Sequence, residues 1–208
     1  MMSAQEALER LREGNRQYAR AEYGPNTRLN DPRRVETVNE RKPFAIILGC
    51  SDARVPPEIV FNQGLGDLFV VRVAGNIVAS SQCDSIEFAA EQLGCRLIVV
   101  LGHSHCRAVT MTLEVLRQSP AYQCRIPQSF VSRIRPAIKR QLRDESRVDF
   151  DTLVRDAISA NIVASVNQLR HGTASLRRLV RKEGLLVVGA EYSVETGVVE
   201  FLHSAKAV

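Results

Sequence analysis

The sequence predicts an α/β protein with a mostly parallel central β-sheet flanked by helices, preceded by an N-terminal helical arm. Three observations support this fold class. Four short apolar runs lack polar alternation, which is typical of strands buried on both faces of a sheet: residues 44–48, 68–71, 97–101 and 185–188. Helical patterns separate these runs, as the crossovers of a parallel sheet require. A length of 208 residues suits one domain whose core can fold without a metal ion.

The first element is a predicted amphipathic helix. Ser3 and Glu6 have the spacing of a capping box, and apolar residues at helical spacing follow until Gly24 and Pro25. We assign residues 1–40 to the N-terminal helical arm and residues 41–208 to the α/β core of a single domain. This pattern is compatible with an arm that docks on its own core and with one that docks on a neighbouring subunit.

The remaining elements follow the apolar strands. Helical patterns cover four segments: residues 85–93, 110–117, 133–143 and 151–169. Pro136 either starts or kinks the third of these helices. Residues 197–202 follow a turn and are predicted to form a final edge strand.

Composition narrows the classes of function. The net charge is +5, but the basic residues are scattered among acidic ones, so we expect no nucleic-acid partner. No apolar stretch approaches membrane-spanning length, so we expect no membrane partner. Five cysteines and an N-terminus without a signal sequence predict a cytoplasmic protein, in which cysteines bind metal or fill the core. Cys83, Cys95 and Cys124 are interpreted as small core residues.

Two cysteines and a histidine follow the carboxyl ends of two predicted strands. Cys50 comes after the first strand, and His103 and Cys106 come after the third. Ligands bind at the carboxyl ends of strands in open α/β sheets, so neighbouring parallel strands would bring these residues together. Two thiolates and an imidazole suit Zn²⁺, and three protein ligands leave one position for water or substrate. The pattern therefore predicts a catalytic zinc site.

Several neighbours of these residues have two interpretations. Asp52 and Arg54 either form an ion pair that fixes a tight turn, or Arg54 directs the Asp52 carboxylate at a metal-bound water; we favour the second. A carboxylate released by Arg54 could become a fourth ligand and close the site. Gly49 precedes Cys50 and Gly102 precedes His103, and a glycine at these positions allows another part of the backbone to approach closely. If a helix begins at His103, then His103 and Cys106 share one face of it, and His105 points away. His171 and His203 are expected at the surface.

The motifs resemble those of the β-class carbonic anhydrases. The resemblance runs from about Ser3 to the C-terminus and is strongest over residues 43–109. It is carried by residues 50–58 (CSDARVPPE), 66–72 (GDLFVVR), 74–76 (AGN) and 102–106 (GHSHC). It implies that Cys50, His103 and Cys106 bind Zn²⁺ and that Asp52 and Arg54 form a catalytic dyad. It also implies a mostly parallel α/β sheet and a homodimer or higher homo-oligomer, in which the arm wraps a partner subunit.

The activity implied by this resemblance is the reversible hydration of carbon dioxide to bicarbonate and a proton by a zinc-bound hydroxide. Phe69, Phe88 and Gly102 would line the substrate pocket. One alternative is hydrolysis of carbonyl sulfide or carbon disulfide at the same zinc. Another is an inactive zinc-binding protein, although such a protein would need neither Asp52 nor Arg54.

Three positions depart from the family pattern. Arg41 replaces a glutamine that many members use to contact substrate, and Arg107 replaces a glycine that usually follows the second zinc cysteine. Ile47 stands where the bicarbonate-inhibited subgroup has tryptophan. We therefore expect an open site at neutral pH, with Asp52 paired to Arg54 rather than to zinc.

Overall fold

The computed structural model describes residues 2–22, 42–117, 128–139 and 149–202. Its strands form one sheet in the order β2-β1-β3-β4-β5. Their bounds are Ala45–Gly49 (β1), Leu68–Arg72 (β2), Leu97–His103 (β3), Leu186–Tyr192 (β4) and Val199–Leu202 (β5). Strands β1 to β4 are mutually parallel, and β5 runs antiparallel to β4. The predicted α/β fold with a mostly parallel sheet is confirmed.

Helices pack on both faces of this sheet. They are α1 (Ala4–Ala19), α2 (Pro57–Val60), α3 (Ser80–Gln92), α4 (Arg107–Arg117), α5 (Gln128–Ile138), α6 (Phe150–His171) and α7 (Ala174–Lys182), with a 3-10 turn at Ala74–Asn76. Among these described elements, none is long and apolar enough to cross a membrane.

Helices α3, α5 and α7 show the main differences from the sequence prediction. Helix α3 begins at Ser80 rather than at residue 85. The prediction placed its start too late because the first turn is polar and carries no apolar periodicity. Helix α5 begins at Gln128 and contains Pro136 close to its carboxyl end; the predicted residues 140–143 lie outside the described residues. Helix α7 was not predicted, although Thr173 caps it by accepting a hydrogen bond from the Leu176 amide at 3.2 Å.

Alternate residues of β1 face two separate apolar layers. Ile46 and Leu48 belong to the layer beneath α3, α4 and α6, whereas Ile47 belongs to the layer beneath α1 and α2. All three are fully buried. Burial of each such side chain contributes about 1.5–3 kcal/mol, so the centre of the sheet is a rigid support for the loops at its edge.

Helix α1 docks on the core of its own chain, one of the two arrangements that the sequence left open. Leu8 and Leu11 are buried in the second apolar layer. Asn15, 4% exposed, donates to the carbonyls of Val60 at 3.0 Å and Gly197 at 2.9 Å. Its Oδ1 accepts from the Val199 amide at 2.8 Å. Asn15 thereby ties the helix to the turn between β4 and β5; residues 23–40 of the predicted arm lie outside the described residues.

Candidate metal centre

Cys50, His103 and Cys106 meet at the carboxyl edge of the sheet. One ligand atom from each lies within 4.8 Å of the others, and all three residues are buried. Cys50 follows the last residue of β1, and His103 is the last residue of the neighbouring parallel strand β3. The structure therefore brings together the three side chains that the strand-end rule selected.

His103 and Cys106 do not share a helix face. His103 ends a strand, and α4 begins only at Arg107. A turn separates them, in which His105 adopts the left-handed backbone conformation with φ of 54°. The idea of a helix starting at His103 is therefore wrong, because β3 continues through that residue. Cys106 lies just before the amino end of α4, where the helix dipole favours a thiolate.

The imidazole of His103 is oriented for metal binding. Its Nδ1 lies 2.8 Å from the Ser104 carbonyl oxygen. A carbonyl can only accept, so Nδ1 carries the proton and Nε2 keeps its lone pair. Nε2 is buried and has no hydrogen-bond partner. A buried acceptor without a partner is costly, and a metal ion would satisfy it.

The two thiols form a coupled pair beside this imidazole. A hydrogen bond from Cys106 and another from the Gly75 amide lower the pKa of Cys50 despite its burial. The Cys50 thiolate and burial in turn raise the pKa of Cys106. One thiolate thus forms readily, and a cation between the sulfurs would favour loss of the second proton. Thiolate and imidazole donors fit Zn²⁺ and disfavour Mg²⁺ or Ca²⁺.

Backbone geometry supplies a donor to the first thiol. The Gly75 amide lies 3.4 Å from Cys50 Sγ, and Gly75 has φ of 71°, a conformation that favours glycine. Asn161 of α6 holds this turn by donating to the Gly75 carbonyl at 2.8 Å. Helix α6 therefore supports the site through the 3-10 turn.

Asp52 and Arg54 form a bidentate ion pair next to the thiols. Arg54 Nε and its backbone amide each donate to Asp52 Oδ1 at 3.0 Å, and Nη2 donates to Oδ2 at 2.8 Å. Hydrogen bonds from Arg54 hold the pKa of Asp52 well below its usual range. The carboxylate is thus ionised and fixed in orientation at neutral pH.

A second arginine braces the same loop. Arg72, the last residue of β2, donates from Nε to the Cys50 carbonyl at 2.9 Å and from Nη2 to the Asp52 carbonyl at 2.6 Å. Arg54 Nη2 also lies 3.4 Å from the His105 carbonyl oxygen and so links the two ligand loops. The sequence did not predict the hydrogen bonds from Arg72 to the Cys50 and Asp52 carbonyls. Their signal is the position of Arg72 at the end of β2, paired with Gly49 just before Cys50.

The three predicted pocket residues lie in different surroundings. Phe69 and Phe88 contact each other across β2 and α3, with ring centroids 6.3 Å apart. Phe69 packs against the apolar cluster that contains Cys50 and Cys106, whereas Phe88 is 51% exposed. Gly102 faces α6: a Cβ there would lie 2.5 Å from Ile162 Cδ1. Glycine at this position lets the long helix approach β3 closely.

The remaining predicted residues are mostly peripheral. Arg107 extends along α4, where its Nη1 binds Glu114 Oε1 at 2.9 Å, and its side chain is 64% exposed. His171 is exposed, as predicted. Cys95 is buried in the core, and Cys83 is half-buried. Arg41, Cys124 and His203 lie outside the described residues.

Sequence reasoning missed an acidic residue beside the second ligand loop. Glu195 lies in the turn after β4 and accepts a hydrogen bond from Ser104 Oγ at 2.7 Å. This bond, with others from the same turn and from His105, lowers the pKa of Glu195 to about 2. The strand-end rule that selected His103 would also have selected Glu195, since β3 and β4 end at the same edge.

Comparison with known proteins is consistent with this geometry. A family model described as carbonic anhydrase matches residues 45–199. The chain belongs to the carbonic anhydrase family. A relative called carbonic anhydrase 2, from Mycobacterium tuberculosis, is 34% identical over 196 residues, which cover 92% of this chain and 89% of that protein. A carbonic anhydrase from Mycolicibacterium smegmatis is 35% identical over 173 residues, covering 81% and 79% of the two chains.

Solved structures place the fold in the β class of carbonic anhydrases, as the motifs indicated. The β-carbonic anhydrase CcaA superposes with a TM-score of 0.75 at 24% identity, covering 94% of this chain and 95% of the other. A tetrameric β-carbonic anhydrase from Sordaria macrospora gives a TM-score of 0.74 at 21% identity, covering 94% and 96%. The carbonic anhydrase fold therefore extends over nearly the whole of both chains.

Proposed function

We propose that this protein catalyses the zinc-dependent, reversible hydration of carbon dioxide to bicarbonate and a proton. One observation carries the proposal: a buried Cys-His-Cys ligand group lies beside a bidentate Asp52–Arg54 pair. Membership of the carbonic anhydrase family supports the same reaction.

Cys50, His103 and Cys106 would hold the ion through two sulfurs and the free Nε2 of the imidazole. When bound there, Zn²⁺ supplies a Lewis acid that lowers the pKa of water to about 7, a value known from carbonic anhydrase itself. Three protein ligands leave one tetrahedral position for chemistry. The Gly75 amide stabilises negative charge on Cys50 Sγ. The Ser104 carbonyl holds a proton on Nδ1 of His103, so that in the neutral ring Nε2 carries the lone pair.

Asp52 acts as a fixed hydrogen-bond acceptor in this proposal. Arg54 donates two hydrogen bonds to Oδ1 and one to Oδ2. Oδ2 therefore keeps a second lone pair that can accept from a hydroxyl near the ligand group. Because the pKa of Asp52 lies far below neutrality, the side chain accepts and does not donate. A hydroxyl whose proton points at Asp52 presents its own lone pair to the carbon of carbon dioxide.

The same ion pair supports an open site at neutral pH. The side chain and the backbone amide of Arg54 both donate hydrogen bonds to the Asp52 carboxylate. These bonds oppose rotation of the carboxylate toward the sulfurs of Cys50 and Cys106. Asp52 is accordingly proposed to stay bound to Arg54 and to leave the fourth position free.

Carbon dioxide is small and apolar, so its site needs apolar walls close to the ligand group. Phe69 is proposed as one wall because it packs against the cluster containing Cys50 and Cys106. Phe88 extends the apolar surface from Phe69. Gly102 is proposed to contribute only backbone to this site, because it directly precedes the ligand His103 in β3.

A homodimer or higher homo-oligomer is proposed for the functional state. Strand β2 lies at one end of the described sheet, and most of its residues are apolar and only half-buried. Exposed, apolar edge strands are normally covered. Leu65, 44% accessible, lies just before β2, and Phe88, 51% accessible, contacts Phe69 of that strand. Both exposed side chains favour burial of this edge by a second copy. We also propose that residues 1–208 form one domain, with residues 1–40 as an arm, in a cytoplasmic protein without nucleic-acid or membrane partners.

Hydrolysis of carbonyl sulfide or carbon disulfide gains no support from the relatives named above, which are all named carbonic anhydrases. The deciding experiment is stopped-flow hydration of carbon dioxide by zinc-replete protein, with sulfide release from carbonyl sulfide measured in parallel. Rapid hydration that Cys50→Ser abolishes is the expected result. Sulfide release without carbon dioxide hydration would overturn the proposal.

A further inference from the structure

The loop between His103 and Cys106 carries two of the three ligands, yet its own two residues are bound from another strand. Ser104 Oγ donates to Glu195 Oε2 at 2.7 Å. His105 Nε2 contacts Glu195 Oε1. Both intervening side chains of the ligand loop are thus attached to one carboxylate after β4.

Ser104 connects this carboxylate to the orientation of the metal-binding imidazole. Its hydroxyl accepts from the Val194 amide at 2.9 Å while donating to Glu195. Its backbone amide donates to the Tyr192 carbonyl at 2.9 Å, and its carbonyl accepts from His103 Nδ1 at 2.8 Å. The residue that fixes the His103 tautomer is therefore itself fixed by side chain and main chain.

His105 needs such an attachment because its backbone is strained. A φ of 54° is unfavourable for a residue with a Cβ. The contact with Glu195 holds the His105 side chain, and Arg54 Nη2 lies 3.4 Å from the His105 carbonyl. The strained turn sets the position of Cys106 just before the amino end of α4.

Glu195 is held firmly enough to serve as an anchor. Ser193 Oγ donates to its Oε2 at 3.0 Å. The turn that carries Glu195 is closed by the Gly197 amide, which donates to the Ser193 carbonyl at 2.9 Å. Asn15 of α1 also binds the Gly197 carbonyl, so the anchor is attached to the core.

We infer that Glu195 is a positioning residue that preorganises the second ligand loop and slows loss of the metal ion. This inference rests on the proposed function, in which Cys50, His103 and Cys106 hold Zn²⁺. Within the described part of the chain, the Glu195 carboxylate hydrogen-bonds to Ser104, His105 and Ser193 and to none of the three ligands, so it acts through Ser104 and His105. Partners that orient metal ligands in this way typically change metal affinity 10- to 100-fold.

The test compares zinc release from Glu195→Ala and Glu13→Ala proteins into excess chelator, followed by the colour of the zinc complex. Glu13 is a matched control, because its side chain is 51% exposed against 52% for Glu195 and pairs with Arg16 on α1, away from the ligand loops. We expect Glu195→Ala to release zinc about 10-fold faster than wild type. Glu13→Ala should release it at the wild-type rate. Glu195→Gln should recover part of the difference, since its amide oxygen can accept from Ser104 Oγ.

A double-mutant cycle tests the route through Ser104. If Glu195 acts through this hydroxyl, Ser104→Ala combined with Glu195→Ala should release zinc more slowly than the product of the two single effects predicts. Independent, multiplicative effects would overturn this route.

Three outcomes overturn the inference itself. The first is release of zinc from Glu195→Ala at the Glu13→Ala rate. The second is a melting temperature of metal-free Glu195→Ala well below that of metal-free Glu13→Ala, which would indicate general destabilisation. Wild-type protein that binds no zinc would overturn the proposed function and this inference with it, whereas the first two outcomes leave the proposed function intact.

Discussion

The loop after β1, residues 50–54, is held by arginine side chains. In the loop after β3, residues 104–106, the side chains of Ser104 and His105 are held by a carboxylate. Arg72 and Arg54 bind the first loop through its carbonyls and the Asp52 carboxylate. Glu195 binds the second through Ser104 and His105. In the proposed mechanism the first loop would present a charged acceptor to substrate, whereas the second would supply two of the three metal ligands. Their braces would then serve different purposes: one would orient a reacting group and the other would retain the metal.

Asp52→Asn tests the reacting side of this comparison and should have the largest effect. The amide keeps the shape of the side chain but can no longer offer two anionic acceptors to Arg54 and to substrate. We expect turnover to fall about 100-fold, within the range for loss of a positioned proton-handling group. Zinc content should not change, because Asp52 is not among the three clustered ligands.

Stopped-flow assays and zinc analysis of the same preparation measure both quantities. Asp156→Asn, an exposed carboxylate on α6, is the control. Unchanged turnover in Asp52→Asn would rule out the proposed role of the dyad.

The glycines before the two loops should differ in their tolerance of alanine. A Cβ at Gly102 would lie 2.5 Å from Ile162 Cδ1, whereas at Gly49 the nearest atom, Pro57 Cγ, is 3.7 Å away. Gly102→Ala should therefore lower the free energy of unfolding by about 1–3 kcal/mol. Gly49→Ala should have a much smaller effect.

Denaturant unfolding of the metal-free proteins measures this difference. The double variant Gly102→Ala/Ile162→Ala should lose less free energy of unfolding than the two single variants lose together, because the smaller side chain at residue 162 makes room for the new methyl group. Equal effects at the two glycines would contradict the packing argument.

Arg72→Ala removes the brace of the first loop without touching a ligand side chain. Two hydrogen bonds to the Cys50 and Asp52 carbonyls are lost. We expect a roughly 10-fold fall in turnover. The dominant change should be in kcat rather than in zinc release, the reverse of the pattern for Glu195→Ala. If both variants change the same parameter, the two loops do not divide the work as described.

Arg107→Gln should have the smallest effect, although the position is unusual for the family. The guanidinium is 64% exposed and bound to Glu114 along α4. Exposed ion pairs of this kind contribute about 0–1 kcal/mol. Unfolding and carbon dioxide hydration should both stay close to wild type, and a marked gain in turnover would show that Arg107 obstructs the site.

The two loops also differ in how far the sequence predicts them. Asp52 and Arg54 are two residues apart, so their pairing follows from local geometry. Apolar runs located the strands, and the strand-end rule then brought Cys50 and His103 together. Glu195 was missed although the strand-end rule could have selected it. Asn161 was missed because it contacts Gly75 across more than eighty positions of the chain. Sequence periodicity contains no information on such a pairing.

Local strain was equally inaccessible from the sequence. The pattern from His103 to Cys106 fits a helix start, yet β3 extends through His103 and forces a left-handed residue at His105. Pairing of His103 with Tyr192 in the sheet decides this, and that pairing depends on the register of β4. Tertiary context overrode the local pattern.

The most direct measurement is a crystal structure of zinc-loaded protein at neutral pH, with the ion located by anomalous scattering. The account predicts zinc bound by the sulfurs of Cys50 and Cys106 at about 2.3 Å and by Nε2 of His103 at about 2.0–2.1 Å. Asp52 should remain hydrogen-bonded to Arg54. Zinc coordinated by Asp52, or bound away from these three side chains, would contradict it.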